Sequence, residues 1–252
     1  MTNTLFRTVA VIPARYGSTR FPGKPLALIA GKMMIQRVYE RARAAKAVDE
    51  VLVATDDERI RCAVESFGGR AVMTSPDHPS GTDRIAEAVR GVAADLVLNL
   101  QGDEPLLPPR VIDDLVAAMR SSQAEMGTVC VPLDLQSAEF ANPNIVKCVI
   151  NARSEALYFS RATIPFQRDA GAGGMPALWH WGIYAYRRDF LEQFVKWSPS
   201  RLELCEKLEQ LRALENGARI RVLVETRSRS TGVDAPEDVA RVETLLREQG
   251  EA

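Results

Sequence analysis

Four short apolar runs, Thr8 to Ile12, Val51 to Ala54, Ala71 to Met73 and Leu96 to Leu100, alternate with amphipathic stretches through the first half of the chain. Runs that lack a polar alternation belong to strands buried on both faces, and so to a mostly parallel sheet. The stretches between and after them, Met33 to Ala45, Glu58 to Phe67, Gly81 to Val92 and Pro108 to Ser121, carry helical periodicity. A βαβα order predicts an α/β, doubly wound sheet with right-handed crossovers. In such sheets ligands bind beyond the carboxyl ends of the strands, so the loops after Ile12, Ala54, Met73 and Leu100 are where chemistry is expected.

From Gly127 the rhythm changes to strand-like segments, Thr128 to Leu133, Val146 to Asn151, Ala156 to Ser160 and Trp181 to Tyr186, which read as a mixed or antiparallel extension. Helices Arg188 to Trp197 and Arg201 to Asn216, a strand Ile220 to Glu225 and a last helix from Pro236 to Glu248 complete the expectation, with Asp169 to Pro176 as a glycine-rich loop. With 252 residues the chain can bury its own core, and 32 basic against 33 acidic residues create no global field for nucleic acid or membrane. The lack of a long apolar stretch or a signal-like start points to the cytoplasm and to no membrane insertion. The four cysteines show no C-x-x-C pair; they are expected reduced, with Cys130 and Cys148 in the core and no structural zinc.

The segment Pro13 to Pro25, directly after the first strand, is the most informative. Six basic residues, Arg7, Arg15, Arg20, Lys24, Lys32 and Arg37, precede the first acid, Glu40. A loop rich in Gly, Ser and Thr offers backbone N–H groups, and Arg15, Arg20 and Lys24 offer charge, which together suit a triphosphate. It is not a Walker A loop, since five residues separate Gly17 from Gly23 and Pro25 stands where Ser or Thr would bind magnesium. No G-x-G-x-x-G dinucleotide fingerprint follows the strand either.

At the end of the fourth run, Gly102 permits a close backbone approach and Asp103 would project into the crevice, where a hard oxygen ligand suits Mg²⁺. Gly-Asp-Glu-Pro is equally good turn chemistry. Asp234, just before the last helix, is either a second carboxylate for the same metal or a helix cap. Ser80, Gly81 and Thr82 either bind an anion at a helix start or cap that helix. His180 between Trp179 and Trp181, Arg161, and the pair Glu209 and Gln210 are polar groups that structure alone would also explain.

Together the segments IPARYGSTRFPGKPL (12–26), VATDD (53–57), DHPSGTDRIAE (77–87), NLQGDEP (99–105), PNIVKCV (143–149), LYFSRATIPF (157–166), HWGIYAYR (180–187), LEQLR (208–212) and TGVDAPED (231–238) closely resemble the 3-deoxy-D-manno-octulosonate (Kdo) cytidylyltransferases of Gram-negative bacteria. The resemblance runs from about Val9 to Val242. It implies a Rossmann-like nucleotidyltransferase fold and a reaction in which CTP and Kdo give CMP-Kdo and pyrophosphate, for lipopolysaccharide biosynthesis. It also implies one cytidylyltransferase domain spanning 1–252. Within it, 1–125 would be mainly nucleotide-binding, 126–230 would carry the sugar and the homodimer contact, and 231–252 would bring a metal ligand and a helix.

The implied catalytic set is Arg15, Lys24, Asp103 and Asp234, with Mg²⁺ on Asp103 and Asp234. The implied CTP contacts are Ala14, Arg15, Ser18, Arg20, Lys24, Ser80, Gly81, Gln101 and Asp103, and the sugar contacts are Gln101, Arg161, His180, Tyr184, Glu209 and Gln210. Trp181 departs from the family, which more often has a small aliphatic residue there, and the loop Asp169 to Pro176 looks short. The rival readings are a cytidylyltransferase for a sialic-type or amino-substituted sugar acid, and a non-catalytic nucleotide-sugar binding protein.

Overall fold

The computed structural model describes residues 6–17, 21–168, 177–228 and 231–250, and the chain forms two compact units, Met1–Val116 with Ser230–Ala252, and Ala117–Arg229. The first unit begins with β1 (Thr8–Ala14) and a small antiparallel hairpin of β2 (Leu28–Ile29) and β3 (Lys32–Met33). It then alternates α1 (Met34–Ala44), β4 (Glu50–Thr55), α2 (Glu58–Ser66), β5 (Ala71–Met73), α3 (Gly81–Ala88) and β6 (Leu96–Asn99), before α4 (Pro109–Arg120) runs across the boundary.

Strands β6, β1, β4 and β5 lie side by side in that order and all pair in parallel. Val9 to Ile12, Leu52 to Ala54 and Leu96 to Leu98 are fully buried, as continuous apolar runs require of strands covered on both faces. The run Ala71 to Met73 departs from that expectation: β5 ends the strand order, is only half-buried and leaves Met73 exposed. Because the first strand lies between the second and the last, the winding reverses between β1 and β6, and a crevice opens beyond their carboxyl ends.

The second unit contains β7 (Met126–Leu133), α5 (Ala138–Ala141), β8 (Lys147–Ile150), β9 (Ala156–Ser160), β10 (Ala177–Arg187), α6 (Arg188–Phe194), α7 (Arg201–Glu206), α8 (Gln210–Glu215) and β11 (Ile220–Val224). Here β11 is parallel to β7, whereas β10 runs antiparallel to β7 and to β8, and β8 antiparallel to β9. The expected change from parallel to mixed pairing therefore occurs where the sequence rhythm changes. Strand β10 starts at Ala177, ahead of the expected Trp181, and its register on β7 shifts between Trp181 and Tyr184. Such a bulge re-aims the side chains that follow it.

Two expectations are corrected. The helix expected over Arg201 to Asn216 is broken at Lys207, whose φ of 54° lies in the left-handed region. Arg161 supplies the physical reason: its Nε donates to Glu206 O at 2.7 Å and its Nη2 reaches Lys207 O at 3.5 Å, so these carbonyls find partners outside a helix. The last helix, α9 (Asp238–Glu248), starts at Asp238 rather than Pro236. The Asp238 carboxylate accepts the N–H of Asp234 at 2.8 Å and of Ala235 at 2.9 Å, which holds Pro236 and Glu237 in a turn before the helix. The loop expected over Asp169 to Pro176 lies outside the described residues.

Candidate active site

A cavity of about 470 Å³ occupies the crevice of the first unit. Its walls come from the ends of β1 (Pro13, Ala14, Arg15) and β6 (Gln101, Gly102, Asp103), from α3 (Gly81, Arg84), and from Gly17, Lys24, Pro25 and Asp234. That is the volume of a small-molecule ligand site. Gly102 is required by close approach, as a Cβ there would come within 3.3 Å of Pro13 O. Of the expected nucleotide-contacting residues, Ala14, Arg15, Lys24, Gly81, Gln101 and Asp103 are brought together in this cavity, while Ser18 and Arg20 lie outside the described residues.

The cationic loop is pinned at its base. Gly23 adopts φ 71°, its N–H donates to Tyr16 O at 3.0 Å, and Arg59 stacks over the Tyr16 ring at 3.4 Å. Lys24 then opens a single 3₁₀ turn, Lys24–Leu26, with its side chain only 14% exposed. Three of the six early basic residues serve elsewhere: Arg7 pairs with Glu50, Lys32 with Glu40, and Arg37 donates to the carbonyls of Ile29 and Ala30. Arg15 is exposed on the cavity wall.

The sequence left open whether Asp103 and Asp234 meet. Val233 is fully buried in a cluster with Ile29, Met34, Leu106, Val242 and Leu246, and its N–H donates to Asp103 O at 2.9 Å. That one contact sets Asp234 beside Asp103. Lys24 Nζ lies 2.7 Å from Asp103 Oδ2 and 3.7 Å from Asp234 Oδ1, so both carboxylates face one cation. Asp234 does not cap α9, which has no side-chain cap; its backbone N–H is held by Asp238, and its carboxylate lies 3.7 Å from the Lys24 ammonium.

At the other end of the cavity, Ser80 caps α3, accepting from the N–H of Thr82 and Asp83 at 3.2 Å, while its hydroxyl donates to Asp83 at 2.7 Å. Arg84, 2% exposed, donates to Thr74 Oγ1 at 2.6 Å and pairs with Asp56 at 3.0 Å. It ties the ends of β4 and β5 to α3, a role sequence reasoning missed. Its signal was a cation one turn ahead of Ala88 on the buried stripe of the helix. His78 contacts Glu87, which also accepts the Ser75 N–H at 3.0 Å; that backbone bond first, and His78 second, hold the Glu87 carboxyl below its usual range. Gln101 Nε2 donates to Asn99 Oδ1 at 3.0 Å, which fixes its amide.

The other sugar-directed candidates belong to the second unit. His180 is 7% exposed, its ring 5.0 Å from Phe159 and 5.4 Å from Tyr184. Thr128 Oγ1 lies 2.8 Å from Ile183 O and 3.0 Å from His180 Nε2. The hydroxyl proton goes to the carbonyl, so the histidine must donate from Nε2, which leaves Nδ1 an acceptor. Burial pushes the His180 pKa down to about 3, and the ring is therefore neutral. Tyr184 donates to Gln210 Oε1 at 3.2 Å, and burial raises its phenol pKa.

Gln210 is 3% exposed, and its Nε2 has no hydrogen-bond partner among the described residues. Glu209 lies 3.7 Å from Arg212, which forms its closer pair with Glu203 at 2.5 Å. Arg161 donates to the carbonyls of Pro143, Glu206 and Lys207 with three of its five N–H groups, and so organises the break between α7 and α8. Lys147, fully buried, extends that network by donating to Arg161 O at 2.6 Å and Asn142 O at 3.0 Å; desolvation lowers its pKa.

A family model described as cytidylyltransferase matches residues 9–220. The 3-deoxy-manno-octulosonate cytidylyltransferase of Geobacter sulfurreducens is 52% identical over 243 residues, covering 92% of this chain and 96% of that protein. The same enzyme of Myxococcus xanthus is 51% identical, covering 97% and 98%. The solved structure of CMP:2-keto-3-deoxy-manno-octonic acid synthetase complexed with CTP superposes with a TM-score of 0.91 at 47% identity, covering 96% of this chain and 99% of that one.

Proposed function

We infer the reaction from the family: the chain belongs to the 3-deoxy-manno-octulosonate cytidylyltransferases. It is a nucleotidyltransferase that joins CMP from CTP to Kdo and releases pyrophosphate, supplying an activated sugar acid for lipopolysaccharide. The relative complexed with CTP supports CTP as the nucleotide. The observation that carries the reading is the convergence of Asp103 and Asp234 on one cation inside the cavity of the first unit.

In this reading the C2 hydroxyl of Kdo attacks the α-phosphorus of CTP, forming the new P–O bond as the bond to the β-phosphate oxygen breaks. Catalysis rests mainly on positioning and on charge. Arg15 and Lys24 hold the departing phosphates, and Ala14, Gly81 and Gln101 line the rest of the nucleotide site. The Asp103 and Asp234 carboxylates suit Mg²⁺, because they are hard oxygen donors from separate segments that already accommodate a cation. Among the described residues no group of three or more acidic, histidine or cysteine side chains gathers around a metal position, so phosphate oxygens and water would complete the ion's shell. Magnesium bound there would offset charge developing on the phosphates. For the sugar acid, Gln210 Nε2 is the donor in need of a partner and His180 Nδ1 the acceptor.

Homodimerisation through the second unit finds support in its exposed apolar side chains Leu157, Phe166 and Leu204, although Leu28 and Met73 are exposed in the first unit as well. A cytoplasmic location agrees with there being no described helix long and apolar enough to cross a membrane. Pyrophosphate release with CTP, Mg²⁺ and a panel of sugar acids tests the function. Kdo is expected to be preferred over sialic-type and amino-substituted acids. Asp103→Asn and Asp234→Asn are each expected to lower kcat by at least about a hundredfold, about 2.7 kcal/mol. Near-normal turnover in either variant at ordinary Mg²⁺ removes that residue from the metal site.

A further inference from the structure

Two carboxylates that share one cation in a partly exposed cavity repel one another to the extent that water does not screen them, and a nearby positive charge relieves that repulsion before any ligand arrives. Lys24 does so in this chain, with its ammonium 2.7 Å from Asp103 Oδ2 and 3.7 Å from Asp234 Oδ1. A divalent ion on the same oxygens would sit about 2.0–2.1 Å from them. Ammonium and metal ion therefore compete for one position. The backbone at Lys24 is held by Lys24 N to Phe21 O at 3.1 Å and Ala27 N to Lys24 O at 3.1 Å. Its four-carbon stem is nonetheless free to carry the charge elsewhere, because a lysine ammonium is a compact point charge on rotatable bonds.

We propose that Lys24 is a displaceable counter-cation, which neutralises Asp103 and Asp234 in the empty site and moves onto the triphosphate when nucleotide and metal enter together. The inference rests on Asp103 and Asp234 being the metal ligands. Metal alone must expel the ammonium from these two carboxylates and leave it Asp238 as a poorer partner, since that carboxylate already accepts the N–H groups of Asp234 and Ala235, and this weakens metal binding. Triphosphate offers a free anion, so the cost falls when nucleotide is present. The coupling is reciprocal: metal strengthens nucleotide binding by the same factor by which nucleotide strengthens metal binding. The device would keep the site from loading metal before there is a substrate to activate.

The test uses Mn²⁺ alone, titrated into nucleotide-free protein and followed by the electron paramagnetic resonance of the unbound ion. Lys24→Met keeps the stem and removes the charge. It is expected to bind Mn²⁺ at least about tenfold more tightly than wild type, about 1.4 kcal/mol, and adding Asp103→Asn to it should abolish the gain. Equal or weaker Mn²⁺ binding by Lys24→Met overturns the proposal. If Asp103→Asn and Asp234→Asn both leave Mn²⁺ binding unchanged in the Lys24→Met background, the assignment of the metal ligands fails instead. A second measurement needs no variant: labelling of Lys24 by an amine-reactive reagent, read by peptide mass spectrometry, should rise when Mn²⁺ is added to wild type. Labelling that does not change also overturns displacement.

Discussion

His180 makes the most quantitative prediction, because its protonation state follows from burial and one hydrogen bond. The folded ring has its pKa pushed down to about 3 by desolvation, whereas the unfolded chain returns it to about 6.5. Between those values the unfolded chain binds a proton that the folded chain refuses, so falling pH favours unfolding. The stabilising contribution is present above about pH 6.5 and is lost as the pH falls toward 3. Its neighbours do not compensate. Tyr184 has its phenol pKa raised by burial, and Cys130, paired with His180 across β7 and β10, has its thiol pushed well up, so both stay neutral. For one proton the loss between about pH 7 and about pH 5 is about 2 kcal/mol.

The assay is urea unfolding followed by tryptophan fluorescence across that range, in wild type and in His180→Gln. Glutamine can still donate to Thr128 but does not titrate. The stability difference between the two proteins is expected to shrink by about 2 kcal/mol as the pH falls from about 7 to about 5. Taking the difference cancels the second histidine, His78, and the carboxylates. A difference independent of pH would refute the neutral buried ring, and one that grows toward acid would show that the folded state holds the proton.

Gly23→Ala places a Cβ 3.2 Å from the Tyr16 ring at a φ of 71°, so it should cost about 1–2 kcal/mol and loosen the cationic loop. Calorimetric melting and CTP titration check both effects, and an unchanged melt would mean the loop is not held as described. Arg161→Met removes bonds to the carbonyls of Glu206 and Pro143, and is expected to destabilise by about 2 kcal/mol and lower Tm. A raised KM for Kdo with no change in Tm would instead make Arg161 a substrate contact.

The parallel half of the fold was legible because the apolar runs are too short for buried helices and alternate with segments of helical periodicity. The crevice followed from strand order alone, and with it the loops bearing Arg15, Gln101 and Asp103. The helix break at Lys207 was not legible, since it involves no local breaker, whereas the bulge after Trp181 does carry one, Gly182, a signal the sequence reading did not use. Residues 201–216 contain no glycine or proline, and the left-handed turn exists because Arg161, far away in sequence, takes the carbonyls that a continuous helix would use. The late start of α9 has a similar cause: Pro236 is a good first helical residue, but Asp238 spends its carboxylate on the turn before it.

The same distinction governs the functional residues. Residue type revealed that Lys24 and Arg161 are cations able to meet anions, and it did so for both equally. Which anion each one meets depends on what the fold brings within reach. For Arg161 that includes the carbonyls of Pro143, Glu206 and Lys207, which tie it to the framework. For Lys24 it is two carboxylates brought together where Val233 N–H meets Asp103 O. A buried lysine held by two backbone carbonyls, as Lys147 is, has no side-chain carboxylate to give up to a metal ion. One held by two side chains that a divalent ion would prefer can be displaced, and that gives Lys24 a place in the binding sequence that its presence in a basic loop could not have revealed.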